Sequence, residues 1–580
     1  MKVLLLHPED LFPPTSPAGQ WDLVVDLGRA SAVTHQNWTQ RAGCEVFSIY
    51  RFAEEVEDLH RVRQLLHCAI VPLVDRWGID WWDLLCPFLS NSLLQLMLIR
   101  RLSKELPTGC ELYSSWSHPM TTALAKVMDT RLTFLGKRFR AAVRRVRHYG
   151  DASSRLDIPQ LVQVLADKFD PEHSIRRRFI PRAHSSPRPV VLLPSAYVNV
   201  SRTAVSYADL LPKHEFLLAF TRRNGKLPTL PPNVKQVSLT PYFATTDKRE
   251  VAYLVERWRR LKAQLVSAAD EFRTAESVGM LERIPPLLDW GIALRDAWRQ
   301  IFECENITAC LCADTSNPAS SLPLLMAKQR GLPALACHHG ALDYQMAIKA
   351  NHADVYLAKN EMERDYLGRV CGLDANTIAL KPALRPNLSP RQATMRQSDA
   401  GWLVFFSQPL PSLGWRTDET YRDLLPRLCS VAQEGGLKLV FKLHPFESIK
   451  ECRRMLRRLI PERERNIELL AGPPSDYLWS NTRAAVTVQS SAALECAALD
   501  IPVFLCAWLR DPYSGYVQQY ARFAVGHKLE SPEQIAEIPG LLEKHDAKLF
   551  QRELLGRALD FGRLENLLAG AYSSPVASIV

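Results

Sequence analysis

The 580-residue chain has no uninterrupted apolar run of the roughly 20 residues that a bilayer-spanning helix needs. Its nearest approach, Ile70 to Ile99, is broken by Asp75, Arg76, Asp80 and Asp83, so it reads as buried helices. Met1-Lys-Val-Leu-Leu-Leu-His7 is too short an apolar run for a secretory signal, and His7-Pro-Glu-Asp10 follows where small residues would mark a cleavage site. Thirteen cysteines form no framework: Cys310 and Cys312 alternate on one expected strand, with no second pair at zinc spacing. Such an odd, dispersed set suggests reduced thiols and a cytoplasmic location. Internal repeats and low-complexity tracts are absent.

What is present is ordinary globular composition, with 47% hydrophobic and 23% charged residues. The length implies two or three domains. The net charge of +10 is concentrated in Lys137-Arg-Phe-Arg140, Arg144-Arg-Val-Arg147 and Arg176-Arg-Arg-Phe-Ile-Pro-Arg182. Clusters of this kind favour anionic lipid, phosphate-rich ligands or nucleic acid, and each alone is equally a solvated helix face.

The last third alternates apolar strands with helices. Strands are expected at Trp402–Ser407, Lys438–Leu443, Ile467–Leu470, Ala484–Val488 and Ile501–Leu505, with helices between them. Strands apolar on both faces imply a parallel sheet wound by right-handed crossovers. A second α/β series precedes it, with strands at Ile307–Cys312, Leu332–Cys337, Val355–Ala358 and Thr377–Leu380. Nearer the N-terminus, strands are expected at Val3–Leu6, Leu23–Val25, Val46–Tyr50, Glu111–Ser114 and Val190–Leu193, and helices at Val251–Arg273 and Ile284–Cys304. The expected organisation is a Rossmann-like domain over 1–381 with helical insertions, a proline-rich linker over 382–400, and a second Rossmann-like domain over 401–580.

Chemistry concentrates at the ends of the C-terminal strands, where an open parallel sheet binds ligands. His444-Pro445 follows the run Leu437–Leu443, and Pro445 suits the first turn of a following helix. Lys442 lies two residues back, on the side of the strand that His444 takes. Further along, Gln489-Ser490-Ser491 opens a helix whose Glu495 sits one turn on. Imidazole, hydroxyls and free helix amides suit a phosphoryl oxygen, and a carboxylate accepts from ribose hydroxyls. Helix capping accounts for the serines equally well. His-Pro also recurs at His7-Pro8 and His118-Pro119, so position after a buried strand is what singles out His444. Gln408-Pro409 after the first C-terminal strand is either a donor contact or a plain turn.

Residues 401 to 510 resemble the nucleotide-binding domain of GT-B-type glycosyltransferases. Lys442-Leu-His444-Pro445 is similar to the His-Pro motif of bacterial polysialyltransferases, capsule Kdo transferases and teichoic-acid polymerases, and Ser490-Ser491 to the paired serines of the polysialyltransferase group. Ser491 to Leu505 resembles the GT-B pattern of an acidic helix followed by a Gly-Pro-Val strand, with Asp500 where glycine is usual. The resemblance implies an α/β fold of two facing Rossmann-like domains. It also implies a donor site in which His444 and the serines hold the phosphate of a CMP- or CDP-linked sugar, which is substrate rather than cofactor. No Asp/Glu-Asp/Glu-Gly triplet is present, a departure from the polysialyltransferases.

His339-Gly340, after the second strand of the middle series, is similar to a motif of surface-polysaccharide transferases. Asp314, His339 and Asp343 are the candidates for the base that an inverting transfer needs. No metal is expected, because no Asp-x-Asp signature stands near the site. The expected activity is a metal-independent transfer of sugar from a nucleotide donor to a surface glycan or lipid-linked acceptor, with no nucleic-acid partner. The alternatives are a sugar-nucleotide 2-epimerase-like isomerase or a non-catalytic polysaccharide assembly or export factor. A lipid-linked acceptor would place the enzyme at the inner face of the cell membrane. There the mixture of Phe134, Phe139, Val143 and Val146 with Lys137, Arg138, Arg140, Arg144, Arg145 and Arg147 suits an anionic surface, or else packs on the core.

Overall fold

The computed structural model describes all residues except 9, 11–19, 31, 69–70, 116, 136–188, 197, 222–229, 240–241, 244, 316, 341, 343, 349–350, 376–377, 381–400, 409, 411–415, 445–446, 473, 510–512, 514–515, 546–560 and 571–580. The expected linker, the basic stretches of 137–147 and 176–182, Asp343 and Pro445 therefore lie outside the described residues.

Three wholly parallel sheets are formed. The first holds β1 (Lys2–Leu6), β2 (Leu23–Asp26), β3 (Glu45–Ser48), β4 (Glu111–Ser114) and β5 (Leu132–Phe134), in the order β3-β2-β1-β4-β5. The second holds β6 (Val190–Ser195), β7 (Glu215–Phe220), β8 (Val234–Ser238), β9 (Ile307–Cys312), β10 (Ala334–Ala336), β11 (Val355–Ala358) and β12 (Ile378–Leu380), in the order β12-β11-β10-β9-β6-β7-β8. The third holds β13 (Trp402–Phe406), β14 (Lys438–Lys442), β15 (Ile467–Leu470), β16 (Thr482–Thr487), β17 (Val503–Cys506) and β18 (His527–Leu529), in the order β15-β14-β13-β16-β17-β18. Every ladder is parallel, and helices occupy the crossovers. This is the α/β class expected from the apolar strands.

Residues 1–381, expected as one domain, hold two of the three sheets. Apolar runs show that strands exist but not which strands pair. By contacts the chain forms two compact units. One comprises Met1–Asp58, Leu94–Tyr149 and Pro386–Leu555, and so contains the first and third sheets; the other comprises Leu59–Leu93, Gly150–Arg385 and Gly556–Val580, with the second sheet. Sequence reading missed β5, β7, β8 and β18. The helix expected over Val251–Arg273 is two helices, Lys248–Ala268 and Asp270–Ser277, because Ala269 turns to an extended backbone (φ −149°, ψ 142°).

In the first unit, the core of the third sheet shows why its strands read so clearly. Phe405 and Phe441 from neighbouring strands lie 5.0 Å apart, and Tyr421 of the helix Thr417–Glu434 packs edge-on to Phe405 at 6.1 Å. Truncating either phenylalanine to alanine should cost about 3–5 kcal/mol. In the second unit, the helix Ile284–Cys304 crosses Trp81 so closely that a Cβ at Gly291 would stand 2.4 Å from the indole. The same helix buries Arg295, whose guanidinium is shared by Asp75, Glu250 and Asp296. Among the described residues, no helix is long and apolar enough to cross a membrane.

Candidate functional site

Each sheet reverses its winding direction once, and at that point the strand ends spread to leave a crevice. In the third sheet the reversal falls between β13 and β16, with β14 on the other side of β13. Register places Lys442, Phe406 and Thr487 in one row across the three strands. Beyond that row the backbone turns polar on all three. Ser407 and Gln408 follow β13, His444 follows β14 after Leu443, and Gln489, Ser490 and Ser491 follow β16. Gln408, Lys442, His444, Gln489, Ser490 and Ser491 thus lie at the ends of three adjacent strands, with Glu495 in the helix that follows the last.

What fixes this rim is a residue that sequence reading missed. Glu447 accepts from the His444 backbone N–H at 2.8 Å, and the Ser407 hydroxyl donates to the same carboxylate oxygen. The Glu447 N–H donates to the His444 carbonyl at 2.9 Å, closing a tight turn. A Glu three residues after His444, reaching back to its amide, has the spacing of the second half of a capping box, and that was the available signal. Burial raises the pKa of Glu447, while Ser407, the His444 amide and Lys442 pull it back. The following helix starts only at Ile449, so His444 stands in a turn, not at a helix N-terminus as its Pro445 had suggested.

The turn is held by backbone and Glu447, and His444 is half-buried. Lys442 is buried, and its ammonium group donates to the carbonyls of Leu443 (3.1 Å) and Gly472 (2.5 Å), holding the ends of β14 and β15 together. Its charge remains near the rim. The two serines divide the work at the helix Ala492–Ala498. The Ser490 hydroxyl accepts from the Ala492 amide at 3.2 Å, whereas the Ser491 side chain makes no capping bond. Thr487 ties the strands, donating to the Phe406 carbonyl at 3.1 Å. Gln489 is buried and Glu495 exposed. The buried Oε1 of Gln408 has no hydrogen-bond partner among the described residues. Asp500 adopts φ 58°, the left-handed conformation that explains why glycine is usual there.

The second sheet carries the remaining candidates. Asp314 is buried just past β9, and His338 and His339 follow the adjacent β10. One ligand-capable atom from each lies within 4.8 Å of the other two. His338 was not among the sequence candidates, although it adjoins one of them. Gly340 donates its N–H to His338 Nδ1 at 3.2 Å. Lys359 donates to the Gly340 carbonyl and pairs with the buried Glu363 at 2.8 Å.

The first sheet repeats the pattern with a different outcome. His7 ends β1 and meets the Ser114 hydroxyl at 3.0 Å, and Ser115 donates to Asp10. His118 accepts the Met120 amide on Nδ1 (3.1 Å), capping the helix Pro119–Val127. Into this rim reaches Arg416 from the segment before the helix Thr417–Glu434. It donates to Asp26 from Nε (3.0 Å) and Nη2 (2.9 Å), and to the carbonyls of His7 (2.9 Å) and Asp10. Burial alone would raise the Asp26 pKa, yet Arg416 and His35 beside it hold the carboxyl at about 2.

No protein-family model matches the chain, and no curated protein matches it. Among solved structures it is similar to a putative UDP-N-acetylglucosamine 2-epimerase from Listeria monocytogenes (11% identity, 66% of this chain and 97% of that one, TM-score 0.39). It is similar also to MurG of Acinetobacter baumannii (11%, 63% and 93%, 0.35) and to the wall teichoic acid polymerase TagF (13%, 69% and 92%, 0.36). The functional reading below is built on this chain's own residues.

Proposed function

We propose that the chain is a glycosyltransferase that binds a nucleotide-activated sugar, CMP- or CDP-linked in preference, at the rim of the third sheet. The observation that carries this reading is the convergence of Gln408, His444, Ser490 and Ser491 on the ends of three adjacent parallel strands, around a winding reversal. The His444 imidazole and the Ser491 hydroxyl suit phosphate oxygens, and the Gln408 carbonyl oxygen suits a sugar or ribose hydroxyl. Glu495, exposed on the first turn of the next helix, is a second acceptor for ribose. As the phosphate leaves, donors already fixed in place stabilise its growing charge, an effect worth about 3–4 kcal/mol per donor in comparable sites. The acceptor is a surface glycan or its lipid-linked form.

Thermal unfolding with CMP, CDP, UDP and GDP, each with and without chelator, tests the donor site. A cytidine nucleotide present at a hundred times its Kd stabilises by about 2.7 kcal/mol, a readily measured shift. Loss of that shift in His444→Ala supports the reading, and no shift with any nucleotide removes it. Turnover of a nucleotide sugar without an acceptor would make the chain an isomerase instead.

A further inference from the structure

Consecutive residues in an extended chain point to opposite sides, so neighbouring histidines after a strand ordinarily diverge. His338 and His339 do not: their ring centroids lie 4.7 Å apart with planes 34° from parallel. The turn that folds them together is braced from outside. The Gly340 amide rests on His338, and the Gly340 carbonyl is held by Lys359, itself fixed by Glu363 on the helix Glu361–Arg369. Beside the two rings stands the buried carboxylate of Asp314. We propose that Asp314, His338 and His339 form a three-ligand site for a divalent transition-metal ion, zinc above all, at the end of β9 and β10.

The donor set argues for that class of ion. Two imidazoles and one carboxylate are the ligands of catalytic zinc and of non-haem iron sites, with one or more positions left open. Magnesium and calcium demand oxygen ligands, which this cluster does not offer in number. Zinc bonds to nitrogen or oxygen measure about 2.0–2.2 Å, so tetrahedral donors stand about 3.4 Å apart. The observed atoms lie within 4.8 Å of one another, somewhat wider than that spacing. The Lys359–Glu363 strut has the role of an outer shell, fixing the loop that carries two ligands. The absence of an Asp-x-Asp signature does not bear on this site, because its ligands are imidazoles. The argument for this site does not rest on the donor reading at the third sheet. An ion here would make Asp314 and His339 ligands in place of free bases.

The test uses the full chain, stripped with chelator and dialysed, then titrated with Zn2+, Co2+ and Mg2+ separately. One Zn2+ and one Co2+ per chain are expected, with no Mg2+ uptake, and the Co2+ form should show the visible absorption of a low-coordinate nitrogen–oxygen site. Losing an outer-shell partner alone weakens metal binding about 10–100-fold, so Asp314→Asn, His338→Gln and His339→Gln should each weaken Co2+ binding at least tenfold. His118→Gln should bind as the parent does. His339 is only half-buried, so His339→Gln keeps the test decisive if a variant at a buried position unfolds. Failure of the parent chain to take up Zn2+ or Co2+, or equal uptake by His339→Gln, overturns the proposal. Nucleotide-induced stabilisation, measured on the same samples, reports separately on the donor site.

Discussion

At the end of the first sheet, His7, Asp10, Asp26, Ser114 and Ser115 are all buried and bonded to other groups of the chain, with Arg416 sealing the rim. At the end of the third sheet, His444, Ser490 and Ser491 remain half-buried, and the Gln408 acceptor has no partner among the described residues. Both rims follow a buried strand with His-Pro, and both place a serine pair at or just beyond the end of another strand. The comparison shows that the motif alone does not mark a binding site. The surroundings differ: at the first rim the polar residues are buried and hold the fold, whereas at the third His444, Ser490 and Ser491 stand partly exposed to solvent.

The largest test of this contrast removes the seal. Arg416→Met strands the Asp26 carboxylate in a buried setting and should cost about 3–5 kcal/mol, read as a lower denaturation midpoint. The same pair gives a pH signature. The Asp26 pKa falls from 3.8 unfolded to about 2 folded, so its contribution is complete above pH 4 and is lost as pH drops towards 2. In Asp26→Asn that part of the acid slope should disappear; an unchanged slope would mean that the pair does not stabilise the fold.

Next comes the exchange of the two histidines. His444→Ala should abolish nucleotide-induced stabilisation, weakening binding about tenfold or more, while shifting the unliganded midpoint little, because the turn hangs on the His444 backbone and Glu447. His7→Ala should do the reverse, costing about 1–3 kcal/mol by removing its buried bond to Ser114 and leaving nucleotide affinity intact. If both variants behaved alike, the distinction between rims would fail.

A finer version separates adjacent serines. Ser490→Ala removes the bond to the Ala492 amide and should cost about 1 kcal/mol of stability. Ser491→Ala, with no such bond to lose, should leave the midpoint in place and lower nucleotide affinity. The smallest expected effect is at Asp500→Gly, where relief of φ 58° should raise stability by up to about 1 kcal/mol without touching affinity.

Much of this chain was legible in its residues. β9, β11 and β15 were read to the residue, because a strand apolar on both faces and bounded by polar turns has few other conformations. The rim of the third sheet followed from the same logic, since the ends of such strands are where side chains become polar. β18, His-Lys-Leu, was invisible, being three residues long and only partly apolar. β7 and β8 lay in a region where no alternating pattern distinguished strand from helix. Residue types in order therefore determined the α/β class, the parallel pairing and the polar strand ends, all of which are local consequences of backbone geometry and hydrophobicity. Tertiary structure alone decided the rest: that residues 1–381 build two sheets, that Arg416 closes the first rim from 390 positions away, and that two adjacent histidines turn to the same side as Asp314. Pairing partners, long-range ion pairs and side-chain satisfaction depend on which surfaces meet in space, and periodicity along a chain does not encode that.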